Sequence, residues 1–123
     1  MTTPRTQLGN AGEALARTYL ERQGLVFIEA NWCCLSGEID LVMSEGAETV
    51  FVEVKTRVGE GAGRAEEAIS PRKRIRLLSS AEWFIDQREL ENSIWRIDLV
   101  AITLDRAGRV VRLTQRQNVV VTG

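Results

Sequence analysis

Histidine is absent from the chain, and no other absence removes as much chemistry. Ser-His-Asp triads, Cys-His pairs, His-ligated zinc and imidazole general bases are all excluded. Any acid–base or metal chemistry must use Asp, Glu, Lys, Tyr or Cys. Cysteine is scarce: the two present, Cys33 and Cys34, are adjacent. Neighbouring cysteines rarely bridge, and two thiols make neither a disulfide framework nor a zinc site. They read as free thiols in a connection over residues 32–36. No apolar run approaches the ~18 residues of a membrane span. The opening MTTPRTQLGN lacks the apolar core of a secretory signal. A cytoplasmic protein with no membrane partner is the expectation. Strong charge of either sign is missing too, since the net charge is −1, so global charge does not point to nucleic acid.

What remains is an ordinary globular composition, 44% hydrophobic and 27% charged over 123 residues, which fits one domain spanning residues 1–123. The spacing of Leu8, Ala11, Leu15 and Tyr19 predicts an amphipathic helix over residues 7–23, stopped by Gly24. Glu13 falls at the border of its apolar face, where it can cap, face solvent or look toward a neighbouring sheet. Residues 25–31 form a short apolar strand. Ser70-Pro71 opens a second helix to about residue 87, with Ser as N-cap and Pro at the first helical position. Ile75, Leu78, Ala81 or Glu82, and Ile85 mark its buried stripe, widened by Leu77 and Phe84. Residues 94–104 and 109–114 are further strands, and the tail NVVVTG adds an edge strand or hangs free.

The most informative stretch is the hairpin over residues 37–57, GEIDLVMSEGAETVFVEVKTR. Residues 37–43 and 49–56 are its strands, and 44–48 its loop. Side chains alternate along a strand, so Val50, Val52 and Val54 share one face, and Phe51, Glu53 and Lys55 the other. Apolar residues on both faces mark a strand covered on both sides. Ionised groups at the end of such a strand need a partner or a metal. If pairing brings Asp40 beside Glu53, two carboxylates ~4 Å apart repel by roughly 4 kcal/mol at an effective dielectric near 20. Lys55 or a divalent ion can offset that, and oxygen-only ligands suit Mg²⁺ or Mn²⁺. A plain ion pair on a solvated face fits the same residues.

Basic residues cluster locally. Arg72, Lys73, Arg74 and Arg76 crowd the start of the second helix, and Arg57 and Arg64 flank the glycine-rich segment from 58 to 64. Such a patch suits a phosphate backbone, and a solvated helix end equally. Positive charge at a helix start opposes the dipole unless it meets an anion. The glycine segment lacks the Gly-Lys-Ser/Thr of a P-loop and reads as a connector or as a loop closing over a duplex. The connection through the second helix is long enough for a right-handed parallel crossover. The expected architecture is α/β, a mixed sheet flanked by helices in the order αβββαβ.

Gly9, Gly12 and Glu13 in the first helix, Asn31, GEIDLV, FVEVKTR, Lys73 and RIDLV (residues 96–100) together resemble the YraN family of small bacterial proteins. That family is similar to archaeal Holliday-junction resolvases within the restriction-endonuclease-like superfamily. The resemblance covers nearly the whole chain. It implies a restriction-endonuclease-like fold and a metal-dependent endonuclease hydrolysing DNA phosphodiester bonds, including branched DNA. It implies that Asp40, Glu53 and Glu13 are metal ligands for Mg²⁺ or Mn²⁺, joined by a backbone carbonyl near Val54, and that Lys55 is catalytic with them. Arg57, Arg64, Arg72, Lys73 and Arg76 would contact phosphates. Ile39 stands where many relatives have Pro before the Asp. Resolvase relatives act as symmetric dimers, which implies a homodimer here. A module of the same fold that binds DNA or protein in a repair or recombination complex without cutting is the alternative.

Overall fold

β-branched and aromatic residues crowd the middle and the C-terminal third of the chain, and there the strands form. The computed structural model describes residues 4–59 and 69–119. Helix α1 is Pro4–Arg22, and strands β1 Val26–Cys34, β2 Gly37–Glu45 and β3 Glu48–Val58 follow. Helix α2 is Pro71–Gln87, then β4 Trp95–Leu104 and β5 Val110–Arg116. The five strands make one sheet in the order β1-β2-β3-β4-β5. β3 and β4 are parallel, and every other neighbouring pair is antiparallel. This is the restriction-endonuclease-like α/β arrangement expected from the sequence. Arg64, much of the glycine-rich segment and residues 120–123 lie outside the described residues.

Each face of the sheet is covered by one helix. Ala16 and Leu20 of α1 pack on Leu41, Met43, Val50, Val52, Val100 and Ile102. Leu77, Ala81, Phe84 and Ile85 of α2 pack on Trp32, Ile39, Val42, Phe51 and Ile97. β3 supplies residues to both cores, as its two apolar faces require. Phe84 sets how α2 sits, meeting Trp32 and Phe51 edge-on with ring centroids 5.3 and 5.4 Å apart. On α1, Gly12 brings the helix backbone against β3: a Cβ there would fall 1.9 Å from Thr56 Oγ1.

Several sequence expectations shift. The buried line of α1 runs through Gly12, Ala16 and Leu20, with Leu15 and Tyr19 at its edge and Ala11 exposed, because Gly12 is the point of closest approach. The Leu8 side chain lies outside the described residues. Ile75 of α2 is 70% exposed rather than buried, because seating Phe84 between Trp32 and Phe51 turns Ile75 outward. Cys33 and Cys34 belong to β1 and not to a connection, paired with Glu38 and Gly37. The β2–β3 turn is tighter than expected, since Ser44 pairs with Thr49 and Glu45 with Glu48. Facing glutamates repel, and Arg96 resolves this by donating from Nη1 to both Glu45 and Glu48. The Arg96 Nε also donates to Asp98, at 3.0 Å to Oδ1. Asp98 is fully buried and accepts further bonds from Gln115 Nε2 and the Asn118 backbone N–H. The RIDLV segment therefore clamps the β2–β3 turn and the chain after β5.

Candidate metal centre between β2 and β3

β2 and β3 pair only from Leu41↔Val52 to the turn. Before Leu41, β2 stays with β1, and beyond Val52, β3 stays with β4. The sheet thus opens into a fork with Asp40 at its crotch. There the Val54 N–H donates to Asp40 Oδ2 at 2.8 Å, a side chain taking the place of a ladder carbonyl. Side-chain alternation breaks at the same point: Ile39 joins the α2 core and Leu41 the α1 core. In the neighbouring strand Asn31 adopts φ 53°, a left-handed conformation that Asn tolerates better than most residues. Asn31 is hydrogen-bonded to Glu13, which tethers α1 to the fork.

Two clefts meet at Asp40. One, of about 360 Å³, is lined by Glu13, Asp40, Glu53, Lys55 and Arg57 among others. The other, of about 180 Å³, is lined by Glu38, Asp40, Lys73, Arg76 and Ser80 among others. Carboxylate oxygens of Glu13, Glu38 and Asp40 all lie within 4.8 Å of one another. Glu53 is 7% exposed; it is hydrogen-bonded to Asp40 and paired with Lys73 Nζ at 3.0 Å. Burial pushes the Asp40 carboxyl up, to about 8, and the charges of Glu53 and Glu13 push the same way against the Val54 N–H. Glu13 is raised too, first by burial and then by Glu38 and Glu53, while its bond to Asn31 acts against the rise. Burial and mutual repulsion thus work against charging all the carboxylates of the fork at once. Three carboxylates within reach of one point fit a hard divalent ion, whose ligands are oxygens.

A family model described as "Uncharacterised protein family UPF0102" matches residues 12–102. A UPF0102 protein of Pelotomaculum thermopropionicum is 42% identical over 118 residues, covering 96% of this chain and 98% of the relative. Relatives from Chloroflexus aurantiacus, 45% identical over 90% of both chains, and Mycobacterium bovis, 40% identical over 96% and 95%, carry the same description. The chain belongs to the UPF0102 family. This is the YraN family that the sequence motifs resemble. Every side chain of the fork, from Glu13 to Arg76, lies within the stretch that matches the UPF0102 model.

Glu13, Asp40, Glu53, Lys55 and Arg57, singled out in the sequence, line one cleft in this UPF0102 fold. Lys73 and Arg76 line the adjoining one. Arg72 is exposed and lines neither cleft, and Arg64 lies outside the described residues. Sequence reasoning missed Glu38. It stands two residues before Asp40 at the start of β2, and that spacing of two acids was its one signal in the sequence. It also missed the reach of Lys73, because a charge in a basic helix start does not reveal that Glu53 waits across the interface.

Proposed function

We propose that the chain is a metal-dependent endonuclease that hydrolyses DNA phosphodiester bonds, with branched DNA as its substrate class. The observation that carries the reading is the fork, where Glu13, Glu38 and Asp40 converge beside Glu53 and Lys55. Glu13, Glu38 and Asp40 would hold Mg²⁺ or Mn²⁺, and Glu53 would hold Asp40 in place or join them. The ion, when bound, polarises the scissile phosphate and acidifies a water. Lys55, in the same cleft, orients the attacking water and stabilises charge developing on the phosphate. Arg57, Lys73 and Arg76 contact phosphates and set position rather than sequence. Arg57 supports this role, since it lines the larger cleft together with Lys55.

The test is incubation of the purified chain with branched and linear DNA in Mg²⁺ or Mn²⁺, and again with a chelator. Cleavage should need the ion and should favour branched DNA. Asp40→Asn and Lys55→Ala should each reduce cutting by at least about 100-fold while leaving DNA binding largely intact. Binding without cutting under every metal would sink the nuclease reading in favour of a binding module, and no binding at all would sink both.

A further inference from the structure

Ser80 is a polar residue on the buried side of α2. It is 1% exposed, and its Oγ has no hydrogen-bond partner among the described residues. A buried hydroxyl left unpaired works against folding, where alanine would not. Its neighbour Ser79 differs: that hydroxyl meets the Ser36 hydroxyl at 2.7 Å and pins the β1–β2 turn against α2. The pinned turn brings Gly37 to Ser80. Gly37 has φ 146°, which side chains rarely adopt, and a Cβ there would stand 3.6 Å from Ser80 Oγ.

Gly37 and Ser80 both line the smaller cleft, with Lys73 and Arg76 beside them and Glu38 and Asp40 on the β2 wall. Its volume is about 180 Å³. Pockets that hold a whole small molecule run to ~300–1,000 Å³, so this one suits a single group. Lys73, Arg76 and Ser80 follow one another at helical spacing along one face of α2. An ammonium has three N–H donors, and Glu53 engages Lys73 Nζ from one side only. Arg76 has no ion pair among the described residues. The wall of α2 thus offers an ammonium, a guanidinium and a hydroxyl to one small anion. A phosphate monoester carries a charge of about −1.5 to −2 and three acceptor oxygens. A diester inside a strand has a single charge and fewer free oxygens, and needs a way in and a way out.

We propose that the smaller cleft receives the terminal phosphate of a DNA strand, held by Lys73, Arg76 and Ser80 beside Gly37. The proposal rests on the nuclease reading for the nature of the ligand, and it narrows the substrate to DNA in which a strand ends in phosphate at the branch, as at a nick. Asp40 lines both clefts, so a strand end held in the smaller one lies next to the fork. Ser80 supplies the discrimination, because its hydroxyl lies too deep to meet a backbone that passes over the surface. Glu38 and Asp40 repel an anion from the other wall, so the cleft is tested with Mg²⁺ present.

The test is fluorescence anisotropy of nicked duplexes that carry a 5′-phosphate, a 3′-phosphate or only hydroxyls at the nick. The full chain is used with Lys55→Ala, which should prevent cutting and does not line the smaller cleft. One of the two phosphate-bearing nicks should bind about tenfold tighter than the hydroxyl nick, and the two arms show which strand end is taken. Ser80→Ala should bring the three affinities to within about twofold of one another without lowering the thermal midpoint, since the hydroxyl makes no bond in the free chain. Arg72→Gln, outside the cleft, should weaken all three alike. Equal affinity for the three nicks would overturn the proposal, and so would a preference that survives Ser80→Ala. Cutting by the parent chain is read separately: a phosphate preference without any cutting would uphold the cleft and overturn only the nuclease reading, whereas cutting with no preference would do the reverse.

Discussion

Asp40 holds the fork together and makes it unstable when nothing cationic is bound. Its carboxyl titrates at about 8 in the folded chain, raised first by burial and then by the charge of Glu53, against about 3.9 in an unfolded one. Between those values the folded state keeps a proton that the unfolded state has released. Stability should therefore fall as pH rises through that window and level off above it. Urea midpoints measured from pH 5 to pH 8 should show this decline, and Asp40→Asn should flatten it; parallel slopes for the two chains would contradict the assignment. Gly12 offers a test unrelated to charge. Gly12→Ala forces its new methyl into Thr56, and overpacking of this kind costs about 1–3 kcal/mol, beyond what better helix propensity returns. A thermal melt should show the loss, and adding Thr56→Ala should recover most of it. Glu53 and Lys55 were legible in the sequence because strand alternation assigns faces without knowledge of the partner strand, and Asp40 because it is an acid at the start of an apolar strand. Asn31 was legible only as part of a motif, because a left-handed residue inside a strand depends on the break at Asp40 across the sheet.

Helix α2 was readable at its ends and misread on its face. Ser70 caps it, accepting from the Lys73 N–H at 3.1 Å, and Pro71 opens it, as local chemistry dictates. Its rotation is a tertiary matter, decided by the edge-on packing of Phe84. Phe84→Ala should cost about 3–5 kcal/mol of stability in chemical denaturation, the range for deleting a buried aromatic. A loss below about 1 kcal/mol would mean that another contact orients the helix. The same helix brings Lys73 to Glu53, so it occupies an acid beside the proposed metal position. Because Lys73 is half exposed, the pair is worth little in stability. Its effect on ion binding is direct: Lys73→Met should tighten Mn²⁺ binding about 2- to 10-fold by calorimetry and weaken binding of duplex DNA. Arg76→Gln, which lines the same cleft but has no bond to Glu53, should leave the Mn²⁺ affinity closer to that of the parent chain.

Across the whole molecule, the order of elements and the two-sided cover of the sheet were legible, since element lengths allowed a parallel return only through α2. The fork was not. It exists because β2 and β3 cease to pair at Leu41↔Val52, and because the Arg96–Asp98 clamp secures the far end of the same hairpin. Neither event has a local signature. Yet the fork is what lets carboxylates from α1, β2 and β3 meet, and the proposed chemistry needs all three elements. Anomalous diffraction from a crystal grown in Mn²⁺ tests that convergence most directly. A single strong peak within bonding distance of Asp40 and of Glu13 or Glu38 is expected. An empty fork, with ions found only elsewhere on the surface, would contradict the account.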